Sequence, residues 1–321
     1  MRCAAETTAL DAAIEDAFEL PVRSVTIERS RYSTSHPIDR VDVVFADGST
    51  TRLVCKDLAR RALLPQARRV KPAFVHHPGR EPAVYRELLH DAALGTARCV
   101  AVIDDDSAAR WLLLECFDGV ELFQVGELER WQAAARWAAR LHARYAASAA
   151  DLACDALPLL RHDHRWVQQW ARRANWHTAR ADHRAIARLV ALAPRLAACL
   201  GAMPATFIHG EMYASNVLVS DGDGVRVCVV DWEMAAIAPG GVDVAALTAG
   251  RWSQSARHAI EAAYCDELGV PHDAAFAAAL DVCRLSSCFQ WIGWNPAWQA
   301  PAQHTNDWLG DAMAIADRLG W

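Results

Sequence analysis

The chain has 321 residues, 53% of them hydrophobic and 22% charged, with a formal net charge of -6. That balance excludes a disordered or fibrous chain, and the negative charge argues against a nucleic-acid-binding surface as the main function. The length exceeds one comfortable core, so two lobes are expected.

From the amino end, residues 1–20 read as a short helix stopped by Pro21. Glu6, Asp11, Glu15 and Asp16 interrupt any apolar run there, which disfavours a secretory leader. No stretch approaches the roughly 18 charge-free apolar residues of a membrane span. The expectation is a soluble, cytoplasmic protein with neither a membrane nor a nucleic acid as partner. The ten cysteines are scattered without a C-x-x-C pair, so they read as reduced, mostly core residues.

Residues 22–57 carry β signals. Val41–Phe45 alternates in part, Asp47-Gly48 is a hairpin turn, and Leu53-Val54-Cys55-Lys56 alternates again. Residues 80–90 form a short helix with Val84, Leu88 and Leu89 on one face and Tyr85 at its border. Val100–Ile103 and Trp111–Cys116 read as two more strands around an acidic turn. Residues 1–117 thus form a small, mostly antiparallel β lobe.

Residues 118–321 read as a larger helical lobe. Leu128, Trp131, Ala135, Ala138, Leu141, His142 and Tyr145 recur at helical spacing. Two further helices are expected within 161–200, and others at 254–267 and 273–293. The helical run breaks once, at 206–231, for a short β segment. His76, His77, His162 and His164 have no ligand partners at diagnostic spacing and read as surface residues.

The chemistry-bearing stretch is TFIHGEMYASNVLVSDGDGVRVCVVDWE, residues 206–233. Val217–Val219 and Val225–Val230 flank the turn Asp221-Gly222-Asp223-Gly224 as a hairpin. Asn216 and Asp231 then fall side by side at its open end. An amide oxygen and a carboxylate are hard ligands suited to Mg²⁺. Glu211, five residues before Asn216, supplies a carboxylate in the turn His209-Gly210-Glu211. Phosphoryl transfer needs this layout: a base near the acceptor hydroxyl, metal ligands, and a lysine on the phosphates. The lysine candidate is Lys56, at the end of Leu53-Val54-Cys55. Its helix partner is Glu81 or Glu87, with Glu81 favoured by its spacing to Tyr85 and Leu88.

H-G-E-x-x-x-x-N, then V-V-D-W-E, then Asp243-Val244-Ala245 resembles the aminoglycoside phosphotransferase and choline kinase-like family, whose pattern is H-G-D-x-x-x-x-N followed by D-W/F-E. Leu141-His142-Ala143 resembles that family's preceding helix, and Leu114–Gly119 its hinge. The likeness spans roughly residues 40–250. It implies an α+β, bilobal protein-kinase-like fold that binds ATP (or GTP) and Mg²⁺ and phosphorylates a small-molecule hydroxyl acceptor. By the resemblance, Asn216 and Asp231 hold the metal, Lys56 holds the α/β-phosphates, Glu211 occupies the base position, and His209 is structural. Glu233 either helps hold metal or serves as a structural acceptor. Asp243 is expected to brace the His209 loop.

Two positions depart from the family pattern. The base position is Glu211, one methylene longer than Asp. The phosphate-covering loop, Ser30–Pro37, has no glycine, so Ser33, Ser35 and neighbouring hydroxyls, with Arg31, stand in for backbone N–H groups. These departures motivate the alternative reading, a kinase-fold protein with weak, absent or repurposed activity. Trp291, Trp294, Trp298 and Trp308 cluster near the carboxyl end. They read either as core packing or as an aromatic wall of the acceptor pocket, with Asp307 and Asp311 available to draw in a cation.

Overall fold

Alternation of apolar and polar residues in 38–57 folds as a hairpin about Gly48, whose φ of +87° suits the turn. The computed structural model describes residues 4–30, 35–90, 94–104, 110–154, 157–177, 183–222, 224–294 and 306–321. Its contacts divide the chain into two units, residues 1–69 with 76–118, and residues 70–75 with 119–321.

The first unit contains helix α1 (Ala4–Phe18), strands β1 (Val22–Arg29), β2 (Ile38–Phe45) and β3 (Thr50–Asp57), helices α2 (Pro65–Val70) and α3 (Arg80–Glu87), and strands β4 (Cys99–Asp104) and β5 (Arg110–Glu115). The last residue of α2 belongs to the second unit. The strands form one antiparallel sheet in the order β1-β2-β3-β5-β4. Leu10 and Ile14 of α1 pack on Val41, Val43, Leu53, Cys55 and Leu113, all but solvent-free. Successive strand side chains alternate faces. With Leu53 and Cys55 turned to α1, Lys56 is aimed to the opposite face.

The second unit opens with β6 (Val120–Glu121), α4 (Leu128–Tyr145), α5 (Ala149–Cys154), β7 (Leu160–Arg161), α6 (His164–His177), α7 (His183–Ala191) and α8 (Ala193–Ala202). It continues with β8 (Thr206–Ile208), β9 (Val217–Ser220), β10 (Arg226–Val229), β11 (Ala236–Ala238), α9 (Gly241–Leu247), α10 (Gln254–Leu268), α11 (Ala274–Gly293) and α12 (Trp308–Arg318). Trp137, Trp170, Trp232, Phe207 and Phe289 are fully buried among these helices.

Several expectations need correction. The β interruption of this unit is larger than one hairpin: β10-β9-β6 and β7-β11-β8 are separate three-stranded sheets. Two-residue strands such as β6 and β7 leave no periodic signal. Region 161–200 holds α6, α7 and most of α8, three helices rather than two. By length and composition, His183–Ala202 is apolar enough to cross a membrane. It is divided here into α7 and α8, with Ile186, Leu189, Leu196 and Leu200 buried. His162 is buried at 6% exposure and stacks on Trp166 at 4.3 Å, whereas His77 and His164 are exposed. The sequence places His162 between charged neighbours, which masks its contact with a tryptophan four residues on.

Candidate active site

The sheet pleat and the first turn of α3 bring Lys56 and Glu81 together. Lys56 Nζ donates to both Glu81 oxygens, at 2.7 and 2.8 Å, and both side chains are almost wholly buried. Glu87 is exposed on the other side of the helix. Ser35 accepts the Leu64 N–H through its backbone carbonyl at 3.0 Å. Arg31 and Ser33 lie outside the described residues, as does Trp298.

In the second unit, β8 runs directly into His209-Gly210-Glu211. Gly210 has φ +85°, and a Cβ there would lie 2.2 Å from the Met234 carbonyl oxygen. Both facts demand glycine. The solvent-free Asp243, in the first turn of α9, accepts the His209 N–H on Oδ2 and the Gly210 N–H on Oδ1, each at 2.8 Å. Its Oδ2 also meets His142 Nε2 at 3.1 Å, and His142 Nδ1 meets the Tyr264 hydroxyl at 2.9 Å. Burial opposes a charge on Asp243. The His142 hydrogen bond, the His142 and His209 rings and the backbone donor outweigh it and hold the pKa below the ordinary carboxylate value.

His209 is fixed by its two ring contacts. Nε2 donates to the Val230 carbonyl at 2.9 Å, and Nδ1 accepts the Glu211 N–H at 3.2 Å. A neutral ring protonated on Nε2 satisfies both. The loop is therefore clamped from α9 on one side and from the end of β10 on the other.

Asn216 closes the turn Ala214–Asn216, and its Nδ2 donates to the Glu211 carbonyl at 2.9 Å. That bond commits the amide nitrogen and turns the amide oxygen, an acceptor, away from the Glu211 carbonyl. The hairpin register differs from the expected one. Val217 pairs with Val229 and the Val230 N–H donates to Asn216, so Asp231 lies one residue beyond the partner of Asn216. Counting from the later half of the turn misplaced the register by one residue. Asp231 leaves the strand at φ +69°, ψ +62°, a left-handed conformation otherwise adopted among described non-glycine residues only by Glu19. Such strain concentrates at functional positions. The next residue, Trp232, anchors the turn by stacking on Phe207 at 5.6 Å and 7°.

Glu211 faces a residue that sequence reading missed. Gln290 on α11 is 5% exposed, and its Nε2 donates to Glu211 Oε1 at 2.9 Å. Burial, with the negative charges of Glu233 and Asp231, pushes the Glu211 pKa up to about 8, against the pull of Lys71 and the Gln290 bond. Gln290 was legible only as a lone amide in the apolar run Cys288-Phe289-Gln290-Trp291. Its neighbour Trp291 donates from Nε1 to the Tyr213 hydroxyl. The Trp291 ring stacks on Trp308 at 5.4 Å and 7°, and Trp294 stacks on Trp170 at 5.6 Å and 20°. Two consecutive residues of α11 thus tie an amide to Glu211 and an indole to Tyr213. Asp307 caps α12 by accepting the Gly310 N–H, and Asp311 accepts from Asn306. Both carboxylates thus take part in local hydrogen bonds at the start of α12.

Lys71 was also missed. It lies among other basic residues in Arg68-Arg69-Val70-Lys71, with no signal to separate it. In the fold it forms an ion pair with Glu233.

Among the described residues, no group of three or more His, Cys, Asp or Glu side chains is arranged to hold a metal alone. Magnesium does not require one, since it takes one or two carboxylates and completes its shell with phosphate and water. The donors present, the Asn216 amide oxygen and the Asp231 carboxylate beside further carboxylates, are hard oxygens and fit that ion.

The known structures that resemble this one share its fold at low sequence identity. Choline kinase LicA from Streptococcus pneumoniae matches with TM-score 0.59 and 12% identity, covering 99% of each chain. A putative aminoglycoside phosphotransferase from Ralstonia eutropha JMP134 matches with TM-score 0.58 and 15% identity, over 98% of this chain and 94% of that one. A microcompartment-associated aminopropanol kinase matches with TM-score 0.59 and 14% identity over 95% of each. LicA in complex with AMP also aligns, with TM-score 0.54 and 12% identity, over 98% of this chain and 97% of that one. No curated protein sequence matches the chain. Its α+β architecture is that of the kinase-like neighbours, and the model of the phosphotransferase enzyme family (APH) matches residues 41–279. The chain belongs to that family.

Proposed function

We propose that this chain transfers the γ-phosphoryl group of ATP or GTP to a hydroxyl of a small molecule, with Mg²⁺ as the metal. The observation that carries this reading is the clamped loop: Glu211 held by Gln290 at 2.9 Å, with the Asn216 amide fixed on its carbonyl at 2.9 Å. A base position and a metal-ligand position are thereby locked together on one rigid turn. Nucleotide use draws support from the AMP complex of LicA.

Glu211 accepts the acceptor hydroxyl's proton as the oxygen attacks phosphorus. Gln290 occupies Oε1 and orients the carboxyl so that Oε2 meets the substrate. Asn216 and Asp231 would hold the magnesium, and when bound it would neutralise phosphate charge and align the terminal phosphate. Lys56, oriented by Glu81, neutralises charge on the inner phosphates. Trp291, Trp294 and Tyr213 give the acceptor a flat, partly exposed aromatic surface with a hydroxyl at its edge. Acceptors of the choline, aminopropanol and aminoglycoside type head the candidates, because those compounds are named for the structural neighbours.

The test is nucleoside-triphosphate turnover with a panel of amino alcohols, aminoglycosides and sugars. Turnover that disappears in Asp231→Ala and Lys56→Ala supports the assignment. Unchanged rates in either variant refute that residue's role. The second reading, a fold retained without kinase activity, is motivated by Glu211 and its raised pKa. It predicts no thermal shift at millimolar ATP with Mg²⁺.

A further inference from the structure

Residues 70–75, the last residue of α2 and the segment that leads on toward α3, make their contacts with the second unit. A turn closes where the Val75 N–H donates to the Pro72 carbonyl at 3.2 Å. Phe74 packs edge-on against Trp170 at 5.0 Å and Trp166 at 5.9 Å, and Val75 is solvent-free. These anchors fix the strap, which delivers Lys71 to Glu233. The Lys71 side chain is 3% exposed and that of Glu233 17%.

Withdrawing an ammonium from water is costly unless it is paired, and surface lysines usually keep the head group wet. This one does not. Its partner Glu233 follows Asp231 by two residues. Glu211 feels the negative charges of Glu233 and Asp231 together with the positive charge of Lys71. The buried ammonium therefore pairs with the carboxylate two residues from the proposed metal ligand and lies within electrostatic reach of the base position. Lys56 is engaged elsewhere, with Glu81 in the first unit.

We propose that Lys71 is a second catalytic cation, carried in on the 70–75 strap to stabilise negative charge on the phosphoryl group in flight, with Glu233 holding its ammonium in place. The proposal rests on the phosphotransferase reading above. In the step itself, the acceptor oxygen forms a bond to the γ-phosphorus and the bond to the bridging oxygen breaks. The bridging electron pair leaves on the nucleoside diphosphate, and the hydroxyl proton passes to Glu211. Lys71 keeps its proton throughout and contributes only charge. A fixed cation in a site withdrawn from water is worth more than the same cation in solvent. The phosphoryl-transfer transition state spreads charge over oxygens that such a cation can meet.

The test compares wild type with Lys71→Met and Lys71→Arg. Steady-state rates are measured alongside binding of MgADP, with and without tetrafluoroaluminate as a mimic of the transferring phosphoryl group. Lys71→Met is expected to lower kcat by about 10²- to 10³-fold, with the nucleotide KM moving by less than about 3-fold. MgADP affinity should persist while affinity for the tetrafluoroaluminate complex falls by a factor comparable to the kcat loss. Lys71→Arg should recover most of both. If Lys71→Met leaves Glu233 stranded and the protein unfolds, Lys71→Met with Glu233→Met removes both charges and should show the same selective loss. Equal affinity for the mimic in wild type and variant overturns the proposal alone. A wild-type chain that binds no MgADP overturns the phosphotransferase reading, and this proposal with it.

Discussion

The side-chain amide of Gln290 reaches Glu211 at 2.9 Å from a helix 79 residues further along the chain. The bond gives the extra methylene of Glu211 a structural partner. The longer side chain spans to α11, where an aspartate on the same backbone would fall short.

Glu211→Asp should therefore reduce activity, even though aspartate is the residue of the family pattern. A displacement of about 1 Å in a catalytic group costs up to roughly 10²-fold. Gln290→Leu, which leaves Glu211 in place without its donor, should lower kcat by about 10-fold or more, since one hydrogen bond to a charged group is worth about 1.5–3 kcal/mol. Steady-state kinetics on the two variants check this. Full activity in Glu211→Asp would mean that Gln290 does not set the position of the base.

The pH profile follows from the raised pKa of Glu211, about 8 and caused first by burial. Below that value the carboxyl carries a proton and cannot accept another. In the free enzyme, kcat/KM should rise about tenfold per pH unit toward pH 8 and level off above it. The Gln290 hydrogen bond lowers this pKa, so Gln290→Leu should move the rise to higher pH. The stability effect has the opposite slope. Between the ordinary carboxylate range and about pH 8 the folded state holds a proton that the unfolded state has lost, so this group's contribution falls as pH rises. A profile flat from pH 6 to 9 would remove Glu211 from the base position.

His162 makes a prediction of the other sign. It is buried at 6% exposure, and neither ring nitrogen has a hydrogen-bond partner. Burial pushes its pKa down to about 4, against the pull of Asp243 and Asp163. The folded state keeps the ring neutral while the unfolded chain protonates near 6.5, so stability is lost as pH falls from about 6.5 toward 4. At about 1.4 kcal/mol per pKa unit the loss approaches roughly 3 kcal/mol at the acid end. His162→Phe keeps the flat face against Trp166 and removes both orphaned nitrogens. Urea denaturation at pH 7 and pH 5 should show a smaller difference in the variant than in wild type.

The residues of the clamped loop were largely legible in the sequence because local spacing carries them. His209, Glu211, Asn216 and Asp231 lie within 23 residues, and the hairpin follows from alternation around a glycine turn. Lys56 and Glu81 were legible for a similar reason, one ending an apolar strand and the other in the first turn of an amphipathic helix. Partners supplied from a distance were not. Gln290 on Glu211, Lys71 on Glu233 and Tyr264 on His142 arrive only through tertiary packing, and nothing in their own neighbourhoods sets them apart. The register of Asn216 against Asp231 failed on a single residue, because the turn's composition does not say which of its positions pairs last.

The attachment of the loop to α9 gives the sharpest stability prediction. The Asp243 carboxylate satisfies the buried N–H groups of His209 and Gly210 and meets His142. Asp243→Ala strands all three, and breaking such a buried network costs about 3–5 kcal/mol. Gly210→Ala acts on the same turn by sterics. Its Cβ would sit 2.2 Å from the Met234 carbonyl oxygen, and the backbone is at φ +85°. Strain of that kind costs about 1–3 kcal/mol even before the clash is relieved. Both variants should lower Tm by several degrees. In any folded fraction, Gly210→Ala should also lose turnover, because relieving the clash must move Glu211 relative to Gln290. A Gly210→Ala protein with wild-type Tm and wild-type kcat would show that the turn can reshape freely, and that the clamp from Asp243 does not fix the position of Glu211.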